Sequence, residues 1–429
     1  MILVIALLLR LGFAWSYTNH HSKQALGVIP FLFESGNISY SLAIGTGFSS
    51  PFHSATGPTA WMTPIYPLLI AAVFRFFGVY TFHAFEAAVL LNILFSTLCC
   101  IPIYFAGKRI GGAALGAGAA WLWAIFPNAI LIPVESMWDA SLAALLAATI
   151  LWATLALADS RRMCDWCAYG LLWGVALMAT ATLASLLPLL LGWLAYRARR
   201  DSRPWLKMPA TALAVAILCC VPWTIRNYAV FHSFVPLRST LGLQLWVGNN
   251  PQAKPIWLGN FHPIHDEDER EKYVAMGEIA YMREKRNNAI RFMFTHPRKE
   301  AYLISERFIE VWSGGTPNPW NDFLRERSLR FRAVLIANVL VAFGALFGII
   351  ELVRRRSVHA FPLAVFPVVF PWAYYLTVVL PRYRLPIDPA VLLLTAIAFG
   401  AFWERSTGNH KTRGASKHLL VPAQSLERT

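Results

Sequence analysis

Trp61-Met62-Thr63-Pro64-Ile65-Tyr66-Pro67-Leu68-Leu69-Ile70-Ala71-Ala72-Val73-Phe74-Arg75-Phe76-Phe77-Gly78 is an almost unbroken apolar stretch, and whether it crosses a membrane decides the topology of everything after it. A crossing helix needs about 20 apolar residues. This stretch is close to that length but carries Pro64, Pro67 and Arg75, which suit a helix lying in or re-entering the interface. Charge supplies an independent criterion. Lys108-Arg109, Arg161-Arg162, the cluster Arg197 to Lys207, Arg354-Arg355-Arg356 and the basic tail after Arg405 all fall on one side only if 61–78 does not cross. Cytoplasmic loops carry the excess of Lys and Arg, so that side is cytoplasmic.

The rest of the chain reads as membrane protein. Of 429 residues, 57% are hydrophobic and 14% charged, and mean hydropathy is +0.48. Soluble domains carry about a quarter charged residues. Apolar runs over 1–17, 84–106, 113–134, 139–158, 166–181, 182–197, 206–225, 331–353, 359–380 and 386–403 give about ten spans. Met1 to Ser16 lacks a basic region before its apolar run, and Arg10 interrupts that run, so it reads as a short first span and not as a signal peptide. The net charge of +15 points to cytoplasmic loops and anionic membrane lipid, and no nucleic-acid motif accompanies it. Cys164-x-x-Cys167 has no second pair, so neither a zinc site nor a redox motif is expected.

Both termini are then cytoplasmic, and four segments face outward: the loop 17–83, the turn around Glu135–Asp139, the segment 226–330, and the turn Pro381-Arg382-Tyr383-Arg384. Within 226–330, residues 271–312 read as one or two amphipathic helices broken at His296-Pro297. The expected organisation is a catalytic membrane module 1–225, an extracytoplasmic cap 226–330, C-terminal spans 331–405 and a basic tail 406–429.

The outward segments carry the candidate chemistry. Glu34 is the sole carboxylate before Glu86, and an acid beside lipid is costly to keep without a use. Asp139 is a second acid on the same face, with Glu135 one turn earlier as its rival. A carboxylate can take a proton from a hydroxyl nucleophile. Arg226, Arg238, Arg382 and Arg384 offer guanidinium forks that match phosphate, and Tyr66 is a further candidate substrate contact. His53 and His265 read as solvated loop residues. The bland alternatives are helix capping for the two acids and interfacial anchoring for the arginines.

In this order the segments resemble GT-C membrane glycosyltransferases, including protein O-mannosyltransferases and lipid A aminoarabinose transferases. The match begins with Glu34 opening the first loop, Ser41-Leu42-Ala43, and Gly45-Thr46-Gly47-Phe48. It continues through Pro64-Ile65-Tyr66-Pro67-Leu68 to Phe76-Phe77-Gly78, then Phe126-Pro127-Asn128, Asp139 with Leu142, and Pro381-Arg382-Tyr383-Arg384-Leu385-Pro386. It covers residues 1–160 well and the last spans fairly, and it is weak over 226–330. Many relatives carry Asp where this chain has Glu34, and some carry a donor-binding Lys where it has Trp61-Met62-Thr63-Pro64.

The resemblance implies an all-α polytopic GT-C-like bundle with interfacial helices in the first outer loop. It implies a polyprenyl-phosphate-linked sugar as donor, a glycan, lipid or protein as acceptor, Glu34 and Asp139 as catalytic acids, and inversion at the anomeric carbon. It places the chain in a bacterial inner membrane with its site outside the cytoplasm. No cofactor or metal is called for, although a divalent ion is left open. A transporter of lipid-linked sugar and a non-catalytic scaffold stay open as alternatives. A transporter often shows inverted repeats, and none is visible here.

Overall fold

The computed structural model describes residues 1–406 apart from 203, 255–258, 260, 317, 326 and 327; the basic tail beyond Ser406 lies outside the described residues. Those residues form an all-α multi-pass membrane protein with no β-strand, only an isolated bridge between Ser49 and Pro58. Among the described residues six helices are long and apolar enough to cross a membrane, or seven if the bent pair Ala113–Ile125 and Pro127–Glu135, which turns by 44°, counts as one span. Met163–Ala179 and Ala360–Tyr375 are apolar but shorter, so length and composition alone give fewer crossings than the sequence implied.

The stretch that decides the topology forms the helix Ile65–Phe77. Near its start, the Pro67 carbonyl accepts from Ser39 at 3.0 Å. Just past its end, Tyr80 donates to Asn37 at 3.4 Å. Both ends therefore meet the same short helix, Glu34–Ala43, within two residues of each other. At 13 residues the helix is about 20 Å long, shorter than the ~30 Å hydrocarbon core of a bilayer.

The ends of the bundle are chemically distinct. Asp139 and Asp159 flank the helix Ala140–Leu157, which spans about 27 Å at the usual rise per residue. At the Asp159 end, Arg109 pairs with Asp159 and Arg197 lies 3.9 Å from it. Glu351, Arg355, Glu404 and Arg405 form a second cluster where the helices Leu329–Arg354 and Asp388–Ser406 both end. The basic loops thus gather at one end and the candidate acids at the other.

The bend at Phe126–Pro127 has a local cause. Pro127 has no N–H to offer the Trp123 carbonyl. The buried guanidinium of Arg10, reaching across from the helix Ile2–Asn19, donates instead to the Ala124 carbonyl at 3.1 Å and the Trp123 carbonyl at 3.3 Å, and to Ser96 at 2.9 Å. Arg10 interrupts an apolar run because a broken span needs a donor, and a cation suits a helix C-terminus.

Two boundaries differ from the sequence reading. The span expected to end at 225 continues as Lys207–Phe231 and stops at His232, which takes a left-handed conformation (φ +48°). Arg226 is therefore on a helix, not in the cap. The cap helices are Glu267–Met276, Glu278–Thr295 and Pro297–Ser313; the break at His296-Pro297 is as expected, whereas the one at Gly277 (φ +76°) was not read.

Candidate active site

Phe33, in extended conformation, delivers the chain into the helix Glu34–Ala43, so Glu34 sits in the first turn of a helix. Three contacts fix that helix. Asn37 donates to the Pro51 carbonyl at 3.1 Å, Ser39 bridges the Ser35 and Pro67 carbonyls, and Gly36 lies so close to Phe31 that a Cβ would meet its carbonyl oxygen at 2.0 Å. The following Gly45-Thr46-Gly47 takes left-handed backbone at both glycines (φ +87° and +83°), which turns the chain into the loop that returns to Trp61.

That loop is pinned to the cap through one carboxylate. Glu278, buried at the start of its helix, accepts from Thr59 Oγ1, the Ala60 amide at 2.8 Å and Tyr273 Oη at 2.6 Å. Nearby, Glu269 accepts from Tyr281 at 2.7 Å and pairs with the buried Lys285. The Glu278 bonds hold the cap on the first loop, and the Glu269 network ties the first two cap helices to each other.

Between loop, cap and bundle lies a cavity of about 520 Å³. Glu34, Asp139, Arg238 and Arg382 all line it, with Trp61, Trp138, Tyr374 and Tyr383 supplying aromatic walls. Four residues read from separate segments of sequence therefore converge on one space. Asp139 stands at the N-cap position of its helix but makes no capping bond. It bonds to Thr180, and burial raises its pKa against the opposing pull of that bond, Arg238 and Arg382. Arg238 is held by its Nε donating to Thr240 at 2.7 Å. Arg382 lies over the Trp138 ring. Glu135, the rival acid, pairs with Arg330 and is not among the lining residues.

Glu34 is 5% exposed. Burial alone pushes its carboxyl up; the hydrogen bond from His262, its own backbone at the helix start and Arg382 outweigh burial and hold it below the ordinary carboxylate value. His262 Nε2 lies 3.1 Å from Glu34 Oε1. The sequence reading missed His262. It follows Phe261 in a turn with no periodicity, and only the folded cap brings it to the first loop. His53 and His265 are exposed, as expected.

The other three expected contacts do not line the cavity. Tyr66 is fully buried behind it, its hydroxyl sharing hydrogen bonds with Asn92, which also reaches the Ser136 carbonyl. Arg226 donates to the Thr59 and Phe48 carbonyls and lies over Phe48, Trp223 and Phe231. Arg384 pairs with Asp388 at 2.7 Å and donates to the Trp312 carbonyl at 3.1 Å. Backbone carbonyls took the donors that were assigned to substrate. Among the described residues no group of three or more His, Cys, Asp and Glu side chains is placed to hold a metal ion.

Residues 61–225 match the family described as dolichyl-phosphate-mannose-protein mannosyltransferase. No curated protein matches the chain in sequence. Among solved structures, the chain is similar to the oligosaccharyltransferase AglB of Archaeoglobus fulgidus in complex with an inhibitory peptide and a dolichol-phosphate. The TM-score is 0.55 at 14% identity, over 95% of this chain and 51% of that one. It also overlaps ArnT of Cupriavidus metallidurans bound to undecaprenyl phosphate, with a TM-score of 0.46 at 13% identity over 94% of this chain and 61% of that one. The chain thus spans about half the length of the oligosaccharyltransferase. The overlap with the oligosaccharyltransferase gives this all-α bundle the GT-C fold.

Proposed function

We propose that this protein transfers a sugar from a polyprenyl-phosphate donor to a hydroxyl-bearing glycan, lipid or protein acceptor, with inversion, at the outer face of a bacterial inner membrane. One observation carries the reading: two acids and two arginines from four separate segments line one cavity. Its volume lies within the range of small-molecule sites. The match to a dolichyl-phosphate-mannose-dependent family and the fold shared with a dolichol-phosphate-binding oligosaccharyltransferase favour a lipid-phosphate donor.

In this mechanism the acceptor hydroxyl attacks the anomeric carbon while Glu34 removes its proton. The anomeric C–O bond breaks, and its electron pair leaves with the lipid phosphate. Arg238 and Arg382 neutralise that phosphate, which needs no proton to depart once its charge is held. Asp139 keeps Arg238 in place and stands on the acceptor side. The cap between His232 and Ser328 selects the acceptor. One displacement with no covalent sugar–enzyme intermediate gives inversion.

The test is chemical. Full-length protein in lipid nanodiscs is given a panel of synthetic undecaprenyl-phosphate hexoses and pentoses together with hydroxyl-bearing glycan, lipid and peptide acceptors, and the glycosylated acceptor is examined by NMR. Release of undecaprenyl phosphate that is lost in Glu34→Gln, with product of inverted anomeric configuration, is expected. A retained configuration overturns the single-displacement mechanism.

A further inference from the structure

We infer that His262 is a positioning residue for Glu34, a neutral imidazole carried in by the cap that aims the Glu34 carboxylate into the cavity and keeps it able to accept a proton. The inference rests on the reading of Glu34 as the acceptor's base.

The tautomer follows from the backbone. The Ile264 amide lies 3.3 Å from His262 Nδ1, and an amide can only donate. Nδ1 therefore presents its lone pair, and the ring proton resides on Nε2. That nitrogen faces Glu34 Oε1 at 3.1 Å, so the imidazole donates to the carboxylate. The ring is 3% exposed and meets the Trp61 and Phe52 rings edge-on at 5.6 Å and 6.3 Å. Its rotamer is thus packed on both sides. The preceding Phe261 is held at φ +63°, a conformation that costs a bulky residue energy and tends to persist where the surroundings enforce it.

Such a donor answers a physical need. A buried acid favours its neutral form, which cannot take a proton. Glu34 has no lysine in the neighbouring Trp61-Met62-Thr63-Pro64 to offset burial. The charged and titratable groups that face it are His262, Arg382 and, at the rim, His265, while Asp139 and Arg238 line the same cavity. His262 alone among these is shown in direct contact with it. Because His262 belongs to the cap, the base is complete only while the cap is seated on the first loop through Glu278, Thr59 and Ala60.

The experiment reads the ionisation of Glu34 itself. Full-length protein labelled with carbon-13 glutamate is titrated by infrared difference spectroscopy, and the band absent in Glu34→Gln is assigned to Glu34. In His262→Met, which fills the space without a donor, protonated Glu34 emerges at higher pH than in wild type. In His262→Gln, which restores an N–H near the Nε2 position, the midpoint moves back toward wild type. Identical midpoints in wild type and His262→Met overturn the inference. Cells complemented with Glu34→Gln report separately on the underlying reading. If that variant fails to complement while the His262→Met midpoint is unmoved, the inference alone falls. If it complements fully, the base role falls even where the titration shift is present.

Discussion

The guanidinium of Arg382 lies 4.4 Å from the centroid of the Trp138 ring, the residue immediately before Asp139. One turn between helices is thereby stacked on another, and the arginine is held at the cavity wall. A lysine keeps the charge but loses the stacking surface and the paired donors. Arg382→Lys should therefore lower kcat/KM by about tenfold or more with little change in Tm. Trp138→Leu, which frees the guanidinium, should weaken donor binding in the same direction. Steady-state kinetics of undecaprenyl phosphate release on the two variants check this.

Arg226 and Arg384 should behave in the opposite way. Each spends its donors on backbone carbonyls or a buried acid. Removing one partner of a buried pair costs about 3–5 kcal/mol because it strands the other charge. Asp388→Ala, at a position with 0% exposure, should lose stability on that scale. Arg226→Ala should cost about 2 kcal/mol through two charged hydrogen bonds. Both should retain activity per folded molecule, read by pairing thermal unfolding in detergent with kinetics. A full loss of turnover at unchanged stability would contradict the structural role.

Gly36 sets the position of the base. A methyl group there meets the Phe31 carbonyl oxygen at 2.0 Å, and backbone cannot yield as a side-chain end does. Gly36→Ala should displace the start of the Glu34 helix, cost about 1–3 kcal/mol by overpacking, and reduce turnover more than Gly45→Ala, which meets no atom. Gly45 does carry a positive φ, so its variant tests strain without collision.

Glu310 gives the cap a pH dependence. Burial raises its pKa to about 7 despite the opposing charge of Arg307. The folded cap thus binds this proton more tightly than the unfolded chain, whose carboxyl has its ordinary value of 4.5. Stability on account of Glu310 is greatest below that ordinary value and falls as pH rises toward 7. Glu310→Gln should unfold at a higher temperature than wild type at pH 8, and the gap should close by pH 5. A gap that widens on acidification would reverse the sign and contradict the burial argument.

Local rules made part of this molecule legible. Prolines and one arginine in 61–78 marked a helix shorter than a full span, and the structure forms it over Ile65–Phe77. Order along the chain was enough to bring Glu34, Asp139, Arg238 and Arg382 to one space. Partner choice was not legible. Arg226 and Arg384 looked like phosphate ligands because the carbonyls of Phe48, Thr59 and Trp312 become acceptors only once loop and cap have packed. Tyr66 shares the interfacial stretch with the site but turns into the core toward Asn92. His262 had no periodicity or motif around it, and the contact with Glu34 closes across more than two hundred residues.

The measurement that bears most directly on the central claim is mass spectrometry of lipid-linked sugars and surface glycans. It compares cells lacking the gene with cells complemented by wild type or by Glu34→Gln. Accumulation of one polyprenyl-phosphate sugar and loss of one surface sugar, both reversed by wild type alone, is the predicted result and names the donor. Full restoration by Glu34→Gln would contradict the account, because the cavity would then be working without its base.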